Sequence, residues 1–178
     1  MKRVDKEIAI ERKHPSWIFQ VVTADEDGKP NAMPASWVTF ASAEPVMMAT
    51  SIAFDRYTHR VLENSEDFVL AFPNKDQKEA TFYCGRNSGE NVDKFEKTGL
   101  ETVPASQVRT PLIEDSVACY ECKKRGSIDA GDHTLFLGEV VAAHISEKYT
   151  EKIYTTEGWH EKGAEGFKTI EEIVQDSK

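Results

Sequence analysis

The chain has 178 residues, 39% of them hydrophobic and 30% charged, with a formal net charge of −9. These values describe one globular domain with room for a sizeable core and exclude a disordered chain. The acidic balance argues against nucleic acid or an anionic membrane as a partner, because the electrostatic term is repulsive, while a local basic pocket for one phosphate remains compatible with it.

The N-terminal segment MKRVDKEIAIERKH is charged throughout and has no apolar region, so no signal peptide is expected. Residues 16–24, SWIFQVVTA, have strand composition. Asp27-Gly28 is a turn signal, and Pro30 rules out a continuous central ladder. ASWVTF (35–40) reads as a second strand, so 16–40 is expected to be a hairpin. Ala43-Glu44-Pro45 breaks the chain before VMMATSI (46–52), a third strand. A short helix follows over 58–66, with Thr58 as N-cap. DFVLAFP (67–73) is a fourth strand, ended by Pro73. A helix over 75–85 stops at Gly85, a polar loop follows, and a short helix ends at Gly99. Residues 101–112 look irregular. Strands are expected at 113–125 and 133–146, both buried on two faces, then a polar tail with a helix over 169–176. No apolar run approaches the ~20 residues needed to cross a bilayer.

About six strands in antiparallel-compatible order, with helices inserted between them, argue for a closed barrel and against a doubly wound sheet. The whole of 1–178 reads as a single domain, with its core over about 14–147 and a tail over 148–178. Three cysteines without a secretory signal point to a reducing, cytoplasmic compartment. Cys119 and Cys122 form a CxxC, but residues three apart on a strand face opposite ways, so neither redox nor zinc chemistry is expected, and no metal site is identified.

No dinucleotide fingerprint, P-loop, zinc-protease or nucleophile-elbow motif is present. Polar residues instead gather where strands end. Asn31 to Trp37 (NAMPASW) offers stiff, locally unpaired backbone to a planar ligand, or is an ordinary hairpin with a core Trp. From Thr50 to Thr58 an apolar strand opens into hydroxyls, then Arg56, then a helix start. This suits a phosphate monoester, or is a plain N-cap beside a solvated Arg. Cys84 to Gly89 (CGRNSG), followed by Asp93-Lys94-Phe95, suits an anion or a ribityl chain, or is a surface loop. His133 stands between the Ala130-Gly131-Asp132 turn and an apolar strand, either facing a site or packed at the core edge.

NAMPASW, VMMATSI with RYT after it, CGRNSG with DKF, and GDHTLFLGEV occur here in an order that resembles the flavin reductase-like proteins, FMN-binding split barrels that include flavoredoxins. The resemblance covers roughly 14–147. It implies a mainly β fold, a six-stranded antiparallel Greek-key split barrel with a few inserted helices. It also implies a homodimer with one FMN per subunit near the dimer interface. Carried over, Asn31 and Ala35, Ser36 and Trp37 lie along the flavin ring and ribityl chain. Thr50, Ser51 and Ile52 line the isoalloxazine. Arg56 and Thr58, with Tyr57 between them, hold the phosphate, helped by Ser88 and Lys94. Cys84, Gly85 and Arg86 close the ribityl side. His133 takes the catalytic position, near the reactive face where a nicotinamide stacks. The implied activity is hydride transfer from NADH or NADPH to FMN and onward to a small-molecule or protein acceptor. A flavoredoxin-type electron carrier and a non-enzymatic split-barrel binding module are the alternatives.

Overall fold

The computed structural model describes residues 1–157 and 159–176. A short helix α1 (Lys6–Glu11) precedes β1 (Ser16–Trp17). The first hairpin joins β2 (Phe19–Ala24) to β3 (Pro30–Ala35), and the second joins β4 (Val38–Ala43) to β5 (Val46–Ala53). Helix α2 (Tyr57–Asn64) and strand β6 (Asp67–Phe72) follow, then a 3-10 turn over Lys75–Gln77, α3 (Lys78–Arg86) and α4 (Lys94–Thr98). The segment expected to be irregular contains a minimal ladder, β7 (Thr102–Val103) with β8 (Leu112–Ile113). Two long strands, β9 (Ala118–Ala130) and β10 (His133–Ile145), meet at a two-residue turn in which Gly131 has φ 68°. The tail holds β11 (Tyr154–Thr155), α5 (Trp159–Lys162), β12 (Phe167–Lys168) and α6 (Ile170–Asp176).

The expected strand over 35–40, paired with 16–24, is corrected. Pro30–Ala35 pairs with Phe19–Ala24, the chain steps out at Ser36-Trp37, and Val38–Ala43 pairs with the following strand. Proline is tolerated in β3 because it is an end strand of the sheet. One predicted strand is therefore two, and the main antiparallel sheet has seven strands in the order β3-β2-β6-β9-β10-β5-β4.

The two end strands are neighbours in sequence, and the sheet curls so that β3 comes close to β5. Ser51 N–H donates to the Trp37 carbonyl at 2.9 Å where the chain passes from β3 to β4. All seven strands send side chains into one interior cluster, among them Val21, Ala35, Val38, Met48, Phe68, Cys122 and Phe136. A sheet closed in this way has no one-sided core, which is the split-barrel arrangement.

Helices α3 and α4 and residues 100–113 cover the outside of β2, β6 and the start of β9. Val22, Val69, Ala71, Cys84, Phe95 and Cys119 pack there. So β2 and β6 are the strands buried on both faces. The same expectation for β9 and β10 is corrected: β9 is exposed or half-buried beyond Cys122 and β10 alternates only as far as Gly138, because among the described residues no helix covers that side of the barrel. Cys119 and Cys122 fall in different clusters on opposite faces, as their spacing requires. Burial pushes their thiols up, to about 11 and about 12. The tail is part of the core. Strands β1, β11 and β12 form a small sheet, and Phe167 of β12 packs with the flanking Ile18 and Ile153 and with Phe82 of α3.

Candidate functional site

Three chain turns converge at one end of the barrel. The β5–α2 turn is tied to the β9–β10 turn by Phe54 N–H donating to the Asp132 carbonyl at 3.2 Å. His133 pairs across the ladder with Ala53, three residues before Arg56, so His133 and Arg56 share this end. The start of β3 joins them through Asn31 Nδ2, which donates to Thr58 Oγ1 at 2.9 Å.

Helix α2 closes the barrel at this end by burying Thr58, His59 and Leu62, the 3.6-residue spacing of one helix face. Its C-terminal carbonyls are satisfied by Lys124 Nζ, which donates to Leu62 at 2.6 Å and Glu63 at 2.9 Å. Its N-terminus is open. The N-cap is Arg56, not Thr58: Arg56 has extended φ −83° and ψ 138° and its side chain makes no capping bond. Thr58 is the second residue of the helix, where its buried hydroxyl accepts from the Asn31 amide. The first N–H groups of α2 carry partial positive charge, and the exposed guanidinium of the N-cap residue Arg56 pairs with the Asp55 carboxylate at 3.3 Å. Tyr57 is half-buried, and its hydroxyl is pushed up by burial and by the Asp25 carboxylate.

Asn31 is 4% exposed, and its Oδ1 has no partner among the described residues. The 87–91 loop presses on it. A β-carbon at Gly89 would stand 2.2 Å from Asn31 Oδ1 and 3.0 Å from the Tyr57 ring, so only glycine fits. Ser88 precedes it with a half-buried hydroxyl that accepts from Glu90 N–H at 3.3 Å. Arg60 of α2 pairs with Glu90 at 2.7 Å and holds the loop against the helix.

Along β5 the side chains alternate. Thr50 and Ile52 point into the barrel, where Thr50 Oγ1 is buried without a partner among the described residues, and half-buried Ser51 points out. Ala35 is core, Ser36 half-buried and Trp37 exposed. The Trp37 and His133 rings lie 4.8 Å apart, tilted by 34°. Asp132 Oδ1 meets His133 Nδ1 at 2.6 Å, and this contact holds the Asp132 carboxyl below the usual range.

Residues 12–162 match the family described as Flavin reductase like domain. The chain belongs to that family. A flavoredoxin of Desulfovibrio vulgaris (Miyazaki F) superposes with a TM-score of 0.78 at 26% identity, over 88% of this chain and 87% of that one. An FMN-binding protein from Thermus thermophilus with bound p-hydroxybenzaldehyde gives 0.73 at 28% identity, over 81% and 83%. An NADH-dependent FAD reductase of Streptomyces globisporus is 29% identical over 116 residues, 65% of this chain and 63% of that relative.

Within this flavin reductase-like fold, four residues carried onto the site by resemblance are placed differently. Lys94 is buried, its ammonium donating to the carbonyls of Ala32 at 2.7 Å and Cys84 at 2.8 Å. It ties β3, α3 and α4 together rather than reaching for a phosphate, and burial lowers it to about 8. Cys84 is 1% exposed among apolar residues, its thiol pushed up to about 11 by burial. Gly85 does not end the helix. It lies inside α3, where a β-carbon would stand 2.9 Å from the Pro34 ring, so it lets the helix lie close on β3. Arg86 lines a groove of about 500 Å³ with Phe82, Tyr83, Asn87 and Lys97, between α3 and α4. His59 is the residue that sequence reading passes over. Its signal is helical spacing, which sets it three residues from Leu62 on the buried face.

Proposed function

We propose that this chain binds FMN at the α2 end of the barrel and works as a flavin-dependent oxidoreductase reduced by NADH or NADPH. The observation that carries the reading is the uncapped α2 N-terminus beside buried Asn31, whose Oδ1 lacks a partner. A phosphate monoester there would meet the Tyr57 and Thr58 N–H groups, the Arg56 guanidinium and the Ser88 hydroxyl. Asn31 would act by holding Thr58 in place beside the phosphate. The ring system would lie toward Ser51, Trp37 and His133, where one strand edge and two aromatic side chains face outward. The phosphate-binding donors at this end support the FMN reading.

Bound FMN supplies a centre that accepts hydride and passes electrons on singly or in pairs. The chain's own residues position and polarise. Asp132 fixes the tilt of the His133 ring and engages Nδ1, which leaves Nε2 for a substrate group. Trp37 flanks that ring and shields it from water on one side.

The protein is read as a cytoplasmic homodimer serving a small-molecule or protein acceptor. Its support is the uncovered sheet face around His133, where Ile128 is 60% and Trp37 48% exposed, with Leu135 between the ladders. A flavoredoxin-type carrier is the second reading, favoured by the lack of a recognisable nicotinamide-binding motif.

The test is purified protein loaded with FMN and mixed anaerobically with NADH or NADPH. Bleaching of the flavin absorbance with either supports the reductase. A flavin that dithionite bleaches but neither nicotinamide does establishes the carrier reading. Failure to bind FMN overturns both.

A further inference from the structure

The first turn of α2 is held to the barrel by two buried hydrogen bonds on opposite sides. Asn31–Thr58 ties it to the first hairpin, and His59–Thr134 ties it to β10. His59 is 4% exposed and sits in the barrel mouth, its ring edge-on to Phe54 at 5.3 Å and to Phe136 at 5.4 Å. Its Nε2 lies 2.8 Å from Thr134 Oγ1. Thr134 has one hydroxyl proton and donates it to Asp129 Oδ1 at 2.9 Å. The Thr134 oxygen must therefore accept, and His59 Nε2 carries the hydrogen. The other nitrogen, Nδ1, faces Glu63 at 3.6 Å.

This chain of bonds runs from the open helix end to the turn that carries His133. Thr134 follows His133 directly and points into the barrel, while His133 points out. Resting on the FMN reading above, we infer that His59 is a positioning residue for the phosphate end of the site. Its Nε2–H holds the α2 N-terminus at a set height above β10. Without that bond the buried Thr134 oxygen loses a donor, and the open N–H groups lose their aim. His59 touches no ligand itself. The effect belongs to the phosphate and not to the ring system, so it separates FMN from riboflavin.

The experiment is equilibrium binding of FMN and of riboflavin, followed by flavin fluorescence, for the wild-type chain and for His59→Leu, Thr134→Val and His59→Gln. His59→Leu and Thr134→Val are expected to weaken FMN about tenfold while riboflavin stays within about twofold. His59→Gln keeps an N–H donor and recovers most of the FMN affinity. The double variant His59→Leu/Thr134→Val is no weaker than either single, because both remove one bond. Equal loss of both flavins, with a lowered melting temperature, overturns the inference and leaves His59 a packing residue. Unchanged FMN binding in the variants also overturns it, while the FMN reading stands. A wild-type chain that binds neither flavin overturns both together.

Discussion

Asn31 and Gly89 show how little space this end of the barrel allows. The amide of Asn31 reaches Thr58 on one side, and the backbone of Gly89 closes over its Oδ1 on the other. Gly89→Ala places a methyl group 2.2 Å from that oxygen, so the 87–91 loop must move away from α2. The expected outcome is FMN binding weakened tenfold or more with a stability loss of roughly 1–2 kcal/mol. Calorimetric titration and thermal melting check it, and FMN affinity equal to wild type would remove this loop from the site. The sequence marked Ser88, Gly89 and Lys94 as one polar group. It could not say that Lys94 turns inward to two backbone carbonyls, because the direction of a long flexible side chain depends on what surrounds it. His59, whose only signal is its spacing from Leu62, is obscure for the reverse reason. A histidine on a short helix reads as solvated until its partner Thr134, 75 residues away, is placed beside it.

The loop between β7 and β8 shows how a segment without regular structure is held. Two carboxylates do most of it. Asp67 Oδ1 accepts from the Thr110 hydroxyl at 2.6 Å and its N–H at 3.1 Å, and Asp67 Oδ2 from Arg109 N–H at 3.1 Å. Glu121 is fully buried and accepts from Ser106 N–H and hydroxyl, each at 2.8 Å, from Gln107 N–H at 2.6 Å and from His144 Nε2 at 2.6 Å. Burial by itself raises the Glu121 carboxyl, but the donors outweigh it and hold it at about 2. A carboxyl depressed in the folded state stabilises above its unfolded value near 4.5, and that contribution is lost as pH falls from about 4.5 through about 2. Glu121→Gln is expected to cost on the order of 2–3 kcal/mol at neutral pH. The gap to wild type should close below about pH 4.5 in urea unfolding. A gap independent of pH would mean that the donors do not depend on the charge. Residues 101–112 carry no periodic pattern, so sequence reading left them irregular, and their order comes from side chains on distant strands.

At the scale of the whole molecule, one side of the barrel is covered and the other is bare. Helices α3 and α4 cover β2 and β6, while among the described residues no helix lies over the face of β5 and β10 around His133. The tail belongs to the covered half: Lys78 of α3 bonds both oxygens of Glu172 at 2.9 Å, and Phe167 is fully buried against Ile18 and Ile153. Phe167→Ala is expected to lose about 3–5 kcal/mol by leaving a cavity in that small cluster. Denaturant unfolding measures it, and a loss under about 1 kcal/mol would show that the tail packs without contributing to the fold.

The mainly β class, the turn at Gly131-Asp132, the opposed thiols of Cys119 and Cys122 and the order of the polar segments were legible in the sequence. Each follows from local chemistry: turn residues, the period of two along a strand, and a helix start after a strand. Tertiary structure alone decided that residues 30–35 and 38–43 are separate strands, since pairing is chosen by partners far along the chain and not by the segment itself. It alone also turned Lys94 and Glu121 inward, brought the tail onto Ile18, and set His59 beneath the open end of α2. A buried polar group is stable only with its partners, and those partners come together only when the barrel closes.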